Sequence, residues 1–209
     1  MFAQFVARQL SHPSGFIGQW LLGPLWNRRN RPLNDVSLAQ LALRADDRVL
    51  EVGFGGGYLL RRMSTIITDG FIGGVDISAT LVEQRQARYR ALIQAGKMDL
   101  KAGTAVRLPY PAGHFTKAVS VNSIFYWPDI PGALAELARV LCLQGGLVLC
   151  FTSKDSLQQK SFARHGLALC DGDDVQRWLE ETDFREINVT RHADRHRSFW
   201  CVTALRSPA

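Results

Sequence analysis

The chain has 209 residues, of which 46% are hydrophobic and 21% are charged, so it is not a disordered or fibrous protein and fits one globular domain. Its formal net charge of +6 would suit acidic partners, but the basic residues are dispersed apart from two short clusters. We interpret these clusters as solvated loops rather than as a nucleic-acid footprint; they are Arg28, Arg29 and Arg31, and Arg191, Arg195 and Arg197.

The four cysteines, Cys142, Cys150, Cys170 and Cys201, include no CxxC pair, so the sequence predicts neither a metal site nor a disulfide framework. Cys150 and Cys201 lie in apolar runs and are expected to be packed thiols. The apolar stretch 15–26 is too short to span a bilayer and lacks the layout of a cleavable signal. We therefore expect a cytoplasmic protein with reduced thiols and no membrane span.

The first half of the chain alternates strands and helices. A short helix is expected over 36–43, and Thr80 and Glu83 have the spacing of a capping box in a longer helix that begins near Ser78 or Thr80 and ends near Ala95. The other expected elements are a strand over 48–52, a glycine turn over 53–57, a helix over 58–67, and strands over 71–76 and 100–104.

The second half continues the alternation and then changes. Leu134, Leu137 and Leu141 lie on one apolar helical face, and Gly145-Gly146 is expected to end that helix. Strands are expected over 118–122 and 147–151, a helix over 173–181, and two last strands over 186–190 and 199–205. Nearly apolar strands that alternate with helices indicate an α/β fold, a doubly wound, mostly parallel seven-stranded sheet, here with an antiparallel C-terminal hairpin.

The stretch 49–57, VLEVGFGGG, takes a strand through a glycine turn into a helix. Glycine is needed where the backbone turns sharply and a ligand approaches closely. The spacing is ExGxGxG, with Glu51, Gly53, Gly55 and Gly57. Tyr58 stands where the dinucleotide fingerprint requires its third glycine, and no Lys-Ser/Thr pair follows, so neither that fingerprint nor a P-loop is present.

Asp76 ends the second strand, 19 residues after Gly57. An acidic residue at this place in a doubly wound fold reaches the ribose hydroxyls of a nucleoside ligand. The alternative is that Asp76 only caps the next helix. The distance from the glycine turn favours the ribose contact.

With these motifs, the chain resembles the class I SAM-dependent methyltransferases, specifically their small UbiE-like group, from about Asp46 to Phe151. The resemblance rests on VLEVGFGGG, GVDIS around Asp76, AGTAVRLPYPAGHF from Ala102, VSVNSIFYW and ALAELARVLCLQGG. It implies the Rossmann-like methyltransferase fold and S-adenosyl-L-methionine (SAM) as cofactor.

The resemblance also implies roles for single residues in binding SAM. Glu51 and the turn from Gly53 through Gly55 to Gly57 would surround the methionine part, and Asp76 would bind the ribose diol. Ile77 would pack on the adenine, Thr104 and Ala105 would border it, and Asn122 would face the methionine near the sulfonium. Thr104 stands where the family often has Asp, Thr116 where it has Asp, and Gln144 where it has Pro.

Family members commonly cover the site with residues that precede the glycine motif. Residues 1–44 are therefore expected to be an N-terminal helical lid, which includes Trp20, Trp26, Asn27 and Asn30, and residues 45–209 the SAM-binding domain. An amphipathic helix packed on the domain is an equal alternative for the first segment.

Methyl transfer needs a general base only if the acceptor must lose a proton. The catalytic candidates are Tyr126 and His114, with Tyr110, Trp127 and His165 as further pocket candidates, because loops after strands line ligand sites in open α/β sheets. The sequence Asn122-Ser123-Ile124-Phe125 lacks the N-P-P-Y type motif of nucleic-acid amino methyltransferases, which favours a small-molecule acceptor.

Three alternatives stay open: an RNA methyltransferase, a non-catalytic domain that binds SAM or a partner, and an NAD(P)-dependent oxidoreductase. A homodimer is also possible.

Overall fold

The computed structural model describes residues 30–159 and 167–208, which form one seven-stranded sheet in the order β3-β2-β1-β4-β5-β7-β6. The strands from β3 to β5 in this order are parallel, whereas β7 is antiparallel to both β5 and β6. The strands are β1 Arg48–Val52, β2 Phe71–Asp76, β3 Met98–Ala102, β4 Phe115–Val121, β5 Leu141–Thr152, β6 Phe184–Ala193 and β7 Ser198–Arg206. The predicted fold class, including the antiparallel hairpin, is confirmed.

Helices cover both faces of the sheet, as the apolar strands require. They are α1 Arg31–Leu41, α2 Tyr58–Met63, α3 Ala79–Arg88, α4 Arg90–Gln94, α5 Ile130–Val140, α6 Lys154–Gln158 and α7 Gly172–Glu180, with a 3₁₀ turn over Ile124–Tyr126. Leu50 and Val52 point to the face that α5 and α7 cover, which we name the α5 face. Val49 points to the opposite face, which α1, α2 and α3 cover and which we name the α1 face.

The predicted N-terminal segment is described only from residue 30 onward, so Trp20, Trp26 and Asn27 lie outside the described residues. Helix α1 begins at Arg31, five residues before the predicted start, with a proline in its first turn, where the missing N–H costs nothing. Leu33 and Leu41 are buried on the α1 face. This part of the predicted lid is therefore an amphipathic helix packed on the domain.

Two predicted helix bounds were wrong near β2. Helix α2 ends at Met63 rather than at residue 67, and the predicted long helix breaks at Tyr89 into α3 and α4. Ser78 caps α3 by accepting a hydrogen bond from the N–H of Leu81 (3.4 Å), so Thr80 lies inside the helix and the predicted capping box does not form.

The prediction that Gly145-Gly146 ends a helix was also wrong. Helix α5 ends at Val140, and β5 begins at the next residue and runs for 12 residues through both glycines. Gln144 has a φ of +61°. Because proline holds φ near −65°, the proline usual in the family could not adopt this conformation.

Across residues 30–159 and 167–208, every helix is too short or too polar to cross a membrane.

Candidate functional site

The glycine turn leaves the carboxyl end of β1 with three left-handed backbone positions: Gly53 at φ +78°, Gly55 at +43° and Gly57 at +71°. A Cβ on Gly53 would lie 2.4 Å from the Cβ of Ser123, which follows β4. A Cβ on Gly55 would meet nothing within 4 Å. Gly53 is therefore required by packing, whereas Gly55 faces open space that a ligand could fill.

Asp76 joins this turn to the next helix. Its Oδ2 accepts a hydrogen bond from the N–H of Gly55 (2.8 Å), and its Oδ1 accepts one from the N–H of Ser78 (2.9 Å). Burial raises the pKa of Asp76, and these two bonds partly oppose that rise. Each carboxylate oxygen has a further lone pair, so the helix-start contact leaves Asp76 able to accept hydrogen bonds from hydroxyl groups.

Glu51 is the polar residue of β1 on the buried side of the turn, with only 4% of its surface exposed. Its Oε2 has no hydrogen-bond partner among the described residues. Burial and the neighbouring charge of Asp76 raise the pKa of Glu51 well above its usual range, and the N–H of Leu60 lowers it only in part. A buried oxygen without a partner costs about 1–3 kcal/mol, so a ligand that donates a hydrogen bond there would be stabilised.

The predicted adenine contacts lie beside Asp76. Ile77 is 45% exposed, which makes it one of two large apolar side chains left at the surface of the described residues. The N–H of Gly103 donates to the backbone oxygen of Asp76 (3.0 Å) and brings Thr104 and Ala105 to the same edge. Strand β3 ends at Ala102 rather than at residue 104, so both residues belong to the loop.

Asn122 follows β4 with a φ of +55° and takes part in a closed ring of hydrogen bonds, which we name the Asn122 ring. Its Oδ1 accepts from the N–H (2.8 Å) and the hydroxyl (3.1 Å) of Thr152, and its Nδ2 donates to Oδ1 of Asn30 (2.9 Å). Arg197 closes the ring by donating to Oγ1 of Thr152 (3.1 Å) and to Oδ1 of Asn30 (3.0 Å). Because a backbone N–H can only donate, the orientation of the Asn122 amide is defined.

Sequence reasoning missed Thr152 and Arg197 as site residues. Thr152 ends β5 on the same edge as Asn122, so its position after an apolar strand was an available signal. Arg197 belonged to a cluster that the sequence favoured as a solvated loop, yet its side chain is only 14% exposed.

The two predicted catalytic residues lie at opposite edges of the sheet. Tyr126 follows β4 at the carboxyl edge, and burial raises the pKa of its phenol to about 12. Trp127, a further pocket candidate, is buried in the core of the α5 face. His165 lies outside the described residues.

His114 precedes β4, so it lies at the amino edge and is separated from Asn122 by the length of the strand, roughly 20 Å. Its Nε2 is 2.6 Å from Nη2 of Arg48, and with Phe71 and Tyr110 it lines a cleft of about 490 Å³. Burial and the charge of Arg48 lower the pKa of His114. The structure therefore does not bring His114 or Tyr110 together with the other predicted site residues, because the loop after β3 crosses back to the amino edge.

Comparison with known proteins places this arrangement in context. A sequence profile described as "Methyltransferase domain" matches residues 49–145. The chain is 26% identical to the uncharacterized methyltransferase YdaC of Bacillus subtilis, over 71% of this chain and 82% of that protein. It is 29% identical to the O-methyltransferase resE of Aspergillus sclerotiorum, over 73% of this chain but only 60% of that longer protein.

A solved structure of a SAM-dependent methyltransferase from Aquifex aeolicus superimposes with a TM-score of 0.67 at 17% identity. The match covers 83% of this chain and 89% of that one. The two proteins therefore share a fold.

Proposed function

We propose, given that the chain belongs to the class I SAM-dependent methyltransferases, that it transfers the methyl group of SAM to an oxygen, nitrogen or carbon atom of a small-molecule acceptor. The observation that carries this proposal is the carboxyl-edge site. Here the glycine turn and Asp76 lie together with Oε2 of Glu51, which has no partner among the residues that the structure describes.

The residues at this edge fit SAM. The open space at Gly55 admits a ligand to the backbone, and the lone pairs of Asp76 suit a ribose diol. Glu51 would accept a hydrogen bond from a cofactor donor, and the exposed face of Ile77 would be covered by the adenine. Thr104 and Ala105 would border that ring.

SAM supplies an activated methyl group, so the protein mainly has to place the acceptor atom and exclude water. Burial raises the pKa of Tyr126 and so disfavours its phenolate form further, and Tyr126 would therefore donate a hydrogen bond to the acceptor rather than remove a proton. The Asn122 ring directs the amide nitrogen of Asn122 away from Thr152, and one of its N–H groups is taken by Asn30. The second N–H would be available to the methionine part of SAM.

An oxygen acceptor is favoured within this proposal. The Tyr126 hydroxyl, which we assign to the acceptor side, would act as a hydrogen-bond donor, which suits an acceptor oxygen. The name of the Aspergillus relative, an O-methyltransferase, agrees with this choice.

The test is a screen for transfer of a labelled methyl group from SAM to a library of phenols, carboxylic acids, amines and quinols, with RNA as a separate arm. We expect label in a small oxygen-bearing molecule and none in RNA. Calorimetry with S-adenosylhomocysteine (SAH), the demethylated product, runs in parallel. Absence of SAH binding would overturn the proposal. Label in RNA alone would show that the acceptor is RNA and not a small molecule.

A further inference from the structure

We infer that Cys150 and Cys201 are an oxidation site, a pair of thiols that closes to an intrachain disulfide next to Asn122. The two residues are direct partners in the antiparallel pairing of β5 with β7. Both are free thiols on the α1 face and only 1% exposed.

The register of the two strands brings the side chains close. Residues directly opposite each other in an antiparallel pair alternate between hydrogen-bonded and non-hydrogen-bonded pairs. The N–H of Ser153 donates to the backbone oxygen of Ser198 (3.0 Å), so 153/198 is a hydrogen-bonded pair. The pair Cys150 and Cys201 lies three pairs away along the ladder. Because the two types of pair alternate, it is a non-hydrogen-bonded pair.

Two backbone bonds agree with this assignment. The oxygen of Cys150 accepts from the N–H of Asn122 on the β4 side (2.9 Å), and the oxygen of Cys201 accepts from the Thr190 hydroxyl on the β6 side (3.1 Å). Both carbonyls thus point away from the partner cysteine. Non-hydrogen-bonded pairs have Cα atoms about 4.5 Å apart, inside the range of about 4.4–6.8 Å that a disulfide spans.

The two thiols also differ in reactivity. Burial and the neighbouring Cys201 thiol raise the pKa of Cys150, whereas the neighbouring Cys150 thiol lowers the pKa of Cys201 against burial. Cys201 is therefore the better nucleophile and Cys150 the resolving thiol. No other pair among the four cysteines is matched in the strand register.

A peroxide would serve as the oxidant. The Cys201 sulfur attacks one peroxide oxygen, the O–O bond breaks, and one water leaves as the sulfur becomes a sulfenic acid. The Cys150 sulfur then attacks the Cys201 sulfur, the S–O bond breaks, and a second water leaves with the Cys150 proton. Two thiols lose two electrons in total, and one hydrogen peroxide is reduced to two waters.

The pair is coupled to the Asn122 ring. Cys150 holds the backbone of Asn122 through its carbonyl, and Thr152, two residues further along β5, holds the Asn122 side chain. Closing the disulfide changes the separation of β5 and β7 at the residue that fixes Asn122, because disulfides usually hold their Cα atoms about 5.5–6 Å apart. Oxidation should therefore weaken cofactor binding, a consequence that rests on the proposed function, whereas the cross-link itself does not.

The first experiment treats the reduced protein with hydrogen peroxide, blocks the remaining thiols with iodoacetamide and maps peptides without reduction. We expect one cross-linked peptide that joins Cys150 to Cys201, lighter by two hydrogens and released by dithiothreitol, with Cys142 and Cys170 alkylated. Because both thiols are buried, it should form slowly, through opening of the strand pair. The matched variants are Cys201→Ser, which should give no cross-link, and Cys142→Ser, which should behave as wild type.

Peroxide treatment that leaves Cys150 and Cys201 uncoupled, as alkylated thiols or separate sulfinic acids, would overturn the inference. The second experiment measures SAH affinity before and after oxidation. We expect at least a threefold loss in the wild type and in Cys142→Ser, and none in Cys201→Ser. A cross-link with unchanged SAH affinity would overturn the coupling to Asn122, and a reduced protein that binds no SAH would instead contradict the proposed function.

Discussion

The polar side chains at the two edges of the sheet differ in whether they have side-chain partners. At the amino edge the polar side chains have side-chain partners: Lys117 lies 2.7 Å from Asp47, Lys101 lies 2.8 Å from Asp99, and Arg48 contacts the ring of His114. At the carboxyl edge, one buried oxygen of Glu51 has no partner within residues 30–159 and 167–208, and the carboxylate of Asp76 accepts hydrogen bonds from the backbone N–H groups of Gly55 and Ser78. Unused hydrogen-bonding capacity, rather than the presence of charged residues, therefore marks the candidate site.

The largest expected effect comes from Gly53→Ala, which would break the carboxyl edge. A left-handed φ costs a residue with a Cβ about 1–2 kcal/mol, and the contact with Ser123 adds about 1–3 kcal/mol. We expect a loss of stability of this combined size in urea denaturation and at least a hundredfold loss of SAH affinity by calorimetry.

Gly96→Ala is the matched control for this variant. Gly96 also has a positive φ, +68°, but its Cβ would meet nothing within 4 Å, and it lies at the amino edge before β3. Gly96→Ala should lose only the stability that the left-handed φ costs a residue with a Cβ, and it should keep its SAH affinity. Equal losses in the two variants would contradict the role given to Ser123.

Asp76→Ala should weaken SAM binding by an order of magnitude or more, about 1.4 kcal/mol, because the ribose hydroxyls lose their acceptor. Asp76→Asn keeps one acceptor oxygen and should lie between this variant and the wild type. Asp99→Ala, at the amino edge, is the control and should leave calorimetric affinity unchanged. If Asp76→Ala binds SAM as tightly as the wild type, the ribose assignment is wrong.

Glu51 should make the cofactor-free protein less stable as the pH rises. Folding raises the pKa of Glu51 above its ordinary value of 4.5, so its contribution is present below that pH and is lost as the pH rises through the raised pKa. Glu51→Gln stays neutral, so its urea midpoint should depend less on pH between about pH 5 and pH 8. At the upper end of this range its free energy of unfolding should exceed that of the wild type by on the order of 1 kcal/mol. The exposed Glu83→Gln should follow the wild-type profile, and a Glu51→Gln profile parallel to it would refute this account.

The smallest effect is expected from His114→Ala, which tests the amino edge directly. Its SAH affinity and its rate of methyl transfer should stay within about twofold of the wild type, since the strand length separates His114 from the site. Tyr126→Phe should instead slow transfer while it keeps SAH affinity. Loss of transfer in His114→Ala with normal stability would reverse the comparison of the two edges.

Local patterns predicted the part of the site that local structure builds. Gly53, Gly55 and Gly57 follow β1 directly, and Asp76 ends the next strand, so the strand pairing alone brings them together. The Asn122 ring was beyond such patterns because Asn30 and Arg197 are 167 residues apart in sequence. The predicted position of His114 was wrong for a related reason. The sequence shows that His114 lies in the loop after β3, but it does not show at which edge of the sheet that part of the loop lies.

The helix bounds show the same division. Glycine punctuation favoured an end of α5 at Gly145-Gly146, but the pairing of β4 with β5 draws residues from Leu141 onward into the sheet. The hydrogen bonds to β4 offset the cost of glycine within a strand.

What the sequence determined by itself is the alternation of apolar strands and helices, the glycine turn and the acidic residue after it, because each depends on neighbours within a few residues. Only the tertiary structure decided which polar groups meet: the buried Glu51 beside Asp76, the ring around Asn122 and the opposed thiols of Cys150 and Cys201. Such contacts depend on strand order and register, which distant segments determine together when they bury their apolar faces.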